Sequence, residues 1–252
     1  MDKLQHIFEL AEEGEWTNGR AGFHKSFYEA IRELNDTQRF ALVEVMNSQS
    51  SPIIRYSILE AIEFLKIDLD VEHLLKVMRD PQEIMGIRAK AGKVLTHNLD
   101  IADTLLYELV REDADIFIQR EISMGYMLLM QESRPEKLET ALINCLQTIK
   151  KSEDPFFIFE LLITYKSPNI VDVVSIFLQD DRAFIRARAI ATLTSSGDTH
   201  AISLIVPFLD DVNVEVRSQA IYSLRQQFNI DHTTVNTLRK ATRALNDYND
   251  SP

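Results

Sequence analysis

An arginine recurs along this chain at intervals of about one two-helix unit, and each copy carries the same apolar signature. Arg186 and Arg217 stand 31 residues apart. Each follows a β-branched residue (Ile185, Val216), precedes an alanine by three (Ala189, Ala220) and a leucine by seven (Leu193, Leu224), and trails an aspartate by six (Asp180, Asp211). Arg88 repeats the pattern with Ile87, Ala91 and Leu95, and Arg55 with Ile54, Ile58 and Ile62. Arg120 is a weaker copy with Gln119, Ser123 and Met127, and the steps from Arg55 to Arg88 to Arg120 are 33 and 32. A stretch without arginine, "DPFFIFELLITY", falls within the 66 residues between Arg120 and Arg186.

Offsets of −1, +3 and +7 lie on one helical face, and a small residue at +3 lets a neighbouring helix approach closely. A second amphipathic segment precedes each such helix, as in Val71, Leu74, Leu75 and Met78, or Ile170, Val173, Val174, Phe177 and Leu178. The unit is therefore helix A, turn, helix B. No lone unit can bury its apolar face, so the units must stack. Asp70, Asp100, Asn169 and Asp198 precede A helices as expected N-caps, and Pro207 is expected to kink or end its helix. Only 7 Gly and 7 Pro agree with a helical chain. The expected organisation is one continuous domain over 1–246, with an N-terminal cap at 1–34, repeats over 35–228, a capping helix at 229–246 and a frayed tail at 247–252.

Asp, then Ile/Val-Arg, Ala at +3 and Leu at +7 in a short two-helix unit resembles the HEAT-like repeat, in its short phycobilisome-lyase flavour. The match is strongest over 180–224, moderate over 51–96, fading over 113–165 and absent from 1–34. The resemblance implies an all-α fold, a right-handed α-α superhelix (solenoid) of HEAT-like two-helix repeats. It also implies that the turn aspartates and helix-B arginines, here Asp180, Arg186, Asp211 and Arg217, form a ladder between adjacent units. Their role is then stability rather than catalysis. Fold alone does not assign function.

Catalytic, metal and cofactor signatures are not found. None of the six histidines has HxxxH or HExxH spacing, and the His-Glu dipeptides that carry iron in HEAT-repeat deoxyhypusine hydroxylases do not occur. Cys145 is the single cysteine, which excludes an intrachain disulfide, and its phase with Leu138, Leu142 and Ile149 reads as core. The glycines of "NGRAG" (18–22) read as a loop, since no strand and no Walker lysine accompany them. No apolar run is long enough to cross a membrane and the N-terminus is acidic, so a cytoplasmic protein is expected. A net charge of −12 argues against nucleic acid as a partner.

With B helices lining a concave face, positions +2 and +5 would point into it. They include Lys90, Lys93, Arg188, Gln219 and Tyr222, while Ile122, Tyr126 and Leu129, with Phe157 and Leu161, make apolar stripes. Two readings of the apolar set stand open: a partner-binding groove, or core in a shifted register. The expected function is a non-catalytic scaffold, adaptor or inhibitor that binds another protein through this groove. In a bacterium it could inhibit a basic toxin. The alternatives are a bilin-lyase-like chromophore-attachment or chaperone protein and a HEAT-like DNA-lesion-binding protein.

Overall fold

The computed structural model describes residues 3–12, 15–17, 20–22, 25–48, 51–67 and 70–249. They divide into two compact units, Met1–Glu108 with Asp113–Leu129, and Leu109–Glu112 with Met130–Pro252.

The first unit holds α1 (Lys3–Glu12), a short antiparallel hairpin of β1 (Glu15–Thr17) and β2 (Arg20–Gly22), α2 (Lys25–Arg32), α3 (Asp36–Ser48), α4 (Pro52–Leu65), α5 (Val71–Arg79) and α6 (Met85–Leu95). Helices α7 (Ala102–Val110) and α8 (Ile116–Glu132) carry residues of both units. The second unit continues with α9 (Glu136–Thr148), α10 (Phe156–Tyr165), α11 (Val171–Ser175), α12 (Ala183–Ser195), α13 (His200–Ile205), α14 (Val214–Tyr222) and α15 (His232–Asn249). The architecture is all-helical, in HEAT-like helix pairs, apart from that hairpin. The segment expected as a glycine loop is in part strand β2, while Asn18 and Gly19 lie outside the described residues. Residues 247–249, expected to fray, extend α15, and 250–252 lie outside the described residues.

The B helices are α4, α6, α8, α10, α12 and α14. In α4, α6, α12 and α14 the −1, +3 and +7 residues form the core: Ile54, Ile58 and Ile62; Ile87, Ala91 and Leu95; Ile185, Ala189 and Leu193; Val216, Ala220 and Leu224 are all buried. Helix α6 packs on both α4 and α5, and α12 on both α10 and α14. Cys145 is half-buried rather than fully in the core.

Arg186, Arg217 and Arg55 tie their B helices to the turn of their own unit, to that of the next, or to both. Arg186 donates from Nη1 to the carbonyls of Asp180 and Asp181 at 2.9 and 3.1 Å. Its Nε and Nη2 grip both carboxylate oxygens of Asp211 at 2.9 and 2.8 Å. Arg217 makes the own-turn half of this pattern, to the carbonyls of Asp211 and Val212. Arg55 makes the forward half, to Glu83 at 2.9 Å. Burial raises the Asp211 carboxyl pKa. Hydrogen bonds from Arg186 and the Asn213 N–H, with the charges of Arg186 and Arg217, outweigh that and hold it below its ordinary value.

The lapse in the frame has a local remedy. Phe159, the fourth residue of α10, stands where α4, α6, α12 and α14 carry arginine. It is fully buried and meets the Phe177 ring edge-on at 5.3 Å. The following turn acid, Asp180, therefore has no arginine reaching forward from α10. Arg182 takes that place, with two hydrogen bonds to Asp180 at 2.9 Å and one to the Glu153 carbonyl at 3.0 Å.

Asp70 caps α5 as expected, accepting from the N–H groups of Glu72 and His73. Asp198 accepts from the His200 N–H. Asp100 and Asn169 are not the caps. A 3-10 turn precedes each A helix there, so the capping side chains are Asn98 and Ser167, two residues earlier. Helix α13 ends at Ile205 and a 3-10 turn containing Pro207 follows.

Candidate functional site

Three B helices of the first unit come together at their N-terminal turns around a cavity of about 490 Å³. Tyr56 of α4, Met85, Gly86 and Ala89 of α6, and Phe117 of α8 form its apolar lining, while Lys90, Arg120 and Glu121 supply charge. The space exists because α6 offers only a hydrogen at position 86 and a methyl at 89. A Cβ built at Gly86 meets nothing within 4 Å. The volume is within the range of small-molecule sites, about 300–1,000 Å³, and a mainly apolar lining with few polar groups is their usual composition. A wider concavity of about 840 Å³ runs along α5 and the turn after it. It is largely charged, and its Arg79 and Glu83 are already committed to Glu108 and Arg55.

Beneath the cavity lies a compact charge cluster. Glu63 accepts from Lys90 through one carboxylate oxygen and from Lys93 through the other, the latter at 3.0 Å. Burial pushes the Glu63 carboxyl up, but these bonds and charges outweigh it and lower its pKa. The Lys90 ammonium also lies 5.4 Å from the centre of the Tyr56 ring. Burial raises the Tyr56 hydroxyl, and Glu60 and Glu121 raise it further against the opposing charge of Lys93. That hydroxyl is protonated at neutral pH and able to donate.

The residues expected to form a partner groove are placed otherwise. Lys90, Lys93, Ile122, Tyr126 and Leu129 belong to the first unit, and Phe157, Leu161, Arg188, Gln219 and Tyr222 to the second. Ile122, Tyr126 and Leu161 are fully buried, so of the two open readings core is correct for them. Lys90 is 7% exposed and joined to Glu63. Arg188 pairs with Glu160 of the neighbouring helix at 2.7 Å and lies over the Phe156 ring. Leu129, Phe157 and Gln219 are half-buried, and Tyr222 is exposed. Lys90, Lys93 and Arg188 thus each bond to an acid on the preceding B helix.

Helix α8 buries a wide arc, including Ile118, Gln119, Ile122, Ser123 and Tyr126. Its exposed apolar line is instead Phe117, Met124 and Leu128. The signal was present in the charged pair Arg120 and Glu121, which shares a helical phase with that line. The Tyr126 hydroxyl has no hydrogen-bond partner among the described residues, and burial followed by the charge of Asp103 raises its pKa far above the ordinary tyrosine value. Tyr126→Phe is therefore expected to leave stability unchanged or raise it by about 1 kcal/mol, read as a constant or higher urea midpoint.

The fold and site define an all-helical protein of HEAT-like repeats with a cavity between successive B helices. No protein-family model matches the chain, and no curated protein matches it. A solved structure of human deoxyhypusine hydroxylase in complex with glycerol is similar over 90% of this chain and 96% of that one, at 11% identity and a TM-score of 0.39. The expectation of a non-catalytic scaffold, adaptor or inhibitor is not upheld. The burial of Ile122, Tyr126 and Leu161 removes the groove on which that expectation rested. Among the described residues no group of three or more His, Cys, Asp or Glu could hold a metal ion, and no helix is long and apolar enough to cross a membrane.

Proposed function

We propose that this chain binds a small organic molecule with an apolar body and a polar end in the cavity between α4, α6 and α8. The observation that carries this reading is the cavity's construction. Gly86 and Ala89 leave room that side chains on the flanking helices do not fill. Tyr56 and Phe117 offer rings to the apolar body, and Arg120 and Glu121 lie among the lining residues for the polar end. We keep the cytoplasmic setting within this proposal, since a single cysteine leaves no intrachain disulfide to be maintained by an oxidising compartment.

The test is a thermal-shift comparison of the full chain with its Gly86→Trp variant, against a panel of small aromatic and branched aliphatic acids, amines and amino acids. An indole at position 86 enters open space, so the variant is expected to fold with an unchanged circular dichroism spectrum. A ligand at 100 times its Kd stabilises by about 2.7 kcal/mol, which is roughly 5–10 °C in Tm for a chain of this size. The expected result is such a shift in the native chain and its loss in Gly86→Trp. Equal responses from both proteins would overturn the reading. Gly86→Ala, which adds a methyl without contact and restricts the unfolded chain, is expected to raise stability by about 0.4–1 kcal/mol.

A further inference from the structure

We infer that the molecule this cavity selects is a zwitterion with the layout of an α-amino acid bearing an aromatic or large aliphatic side chain. The inference rests on the cavity reading and adds the ligand's charge pattern. It follows from asking which charges at the site are already spent. Glu63 takes hydrogen bonds from both Lys90 and Lys93, so both ammonium groups are already held to an acid beside the cavity. Lys90 is further held against the Tyr56 ring and is 7% exposed. Two lining charges remain. The side chains of Arg120 and Glu121 have no hydrogen bond or ion pair among the described residues, with each other or with any neighbour.

These two side chains are adjacent on α8, and both border the same 490 Å³. A ligand carrying only an anion would satisfy Arg120 and leave its negative charge beside Glu121, on a chain whose net charge is already −12. A ligand carrying only a cation would satisfy Glu121 and meet the Arg120 guanidinium. A carboxylate and an ammonium on one carbon satisfy both at once, with charge-assisted hydrogen bonds on each side. The guanidinium presents a planar fork suited to a carboxylate. The remaining lining is apolar, from Tyr56, Met85, Ala89 and Phe117. The ligand's third substituent is therefore hydrophobic, and the two rings favour an aromatic one.

Isothermal titration with three probes tests this: L-phenylalanine, phenethylamine, which lacks the carboxylate, and 3-phenylpropionate, which lacks the amine. The native chain is expected to bind phenylalanine at least about tenfold more tightly than either truncated probe, since hydrogen bonds to charged groups contribute about 1.5–3 kcal/mol. Arg120→Gln should weaken phenylalanine and 3-phenylpropionate by about tenfold and leave phenethylamine within about twofold. Glu121→Gln should do the reverse for the two truncated probes. If a truncated probe binds as tightly as phenylalanine and Gly86→Trp abolishes that binding, the zwitterion inference fails while the cavity reading stands. If none of the three shows binding that Gly86→Trp removes, both fail.

Discussion

Arg186→Ala is expected to lower the unfolding free energy by about 3–5 kcal/mol, read as a large fall in the urea midpoint followed by far-ultraviolet circular dichroism. The side chains of Arg186 and Asp211 are 11% and 8% exposed, so removing the guanidinium leaves the Asp211 carboxylate nearly dry without its main cation. It also frees the carbonyls of Asp180 and Asp181. Arg186→Lys should fall between the two proteins, because an ammonium keeps the charge but cannot grip two carboxylate oxygens and two carbonyls together. Arg217→Ala, whose lost hydrogen bonds are to carbonyls and not to a carboxylate, should cost less.

The same pair predicts a pH dependence. The Asp211 carboxyl has a lower pKa in the folded chain than its ordinary value near 3.8. A depressed carboxyl stabilises the folded state above its unfolded pKa, and that stabilisation disappears as pH falls through the folded value. Asp180, held down chiefly by its hydrogen bond from Arg182, acts in the same direction. Native stability should therefore fall steeply below about pH 4. Asp211→Asn should lie well below the native chain at pH 7 and converge with it in acid. A gap between the two that stays constant from pH 7 to below the carboxylate range would refute the Asp211 assignment.

Gly125→Ala is the second large effect, and its sign opposes helix propensity. In an unconstrained helix the substitution gains roughly 1 kcal/mol. Here the added Cβ would stand 2.4 Å from Thr96 Oγ1 and 2.9 Å from Thr96 Cγ2. Thr96 cannot easily swing aside, being fully buried and hydrogen-bonded through Oγ1 to the Lys93 carbonyl at 2.7 Å. Overpacking of this kind costs about 1–3 kcal/mol, so a net loss is expected in thermal and urea melts. Thr96→Ala in the Gly125→Ala background should restore part of it, a coupling that a double-mutant cycle measures. Together with Gly86→Ala the experiment separates two helical glycines by sign: one spares a collision, the other borders open space.

The core was legible because it follows local periodicity. Every −1, +3 and +7 residue around Arg55, Arg88, Arg186 and Arg217 is buried, since a 3.6-residue turn puts those offsets on one face whatever the helix packs against. The arginine staples were legible from the family resemblance, and Arg186 with Asp211 has that geometry. The candidate site was not legible. It depends on Gly86, on Phe117 just before the repeat motif and on Tyr56 one residue after an arginine, none of which carries a periodic signal. The expected groove residues Ile122 and Tyr126 followed a periodicity that was real but belonged to the core.

By itself the sequence determined the two-helix unit, its length, its buried face and the arginines that hold the carbonyls of their own turns, because each of these rests on contacts between residues close in the chain. Only the tertiary structure decided what the charges at +2 do. Lys90 and Arg188 find Glu63 and Glu160 across distances of 27 and 28 residues. A pairing between helices depends on their relative rotation and separation, which the pattern within one helix does not specify. The same holds for the cavity, which is the space three helices leave when two small residues face it.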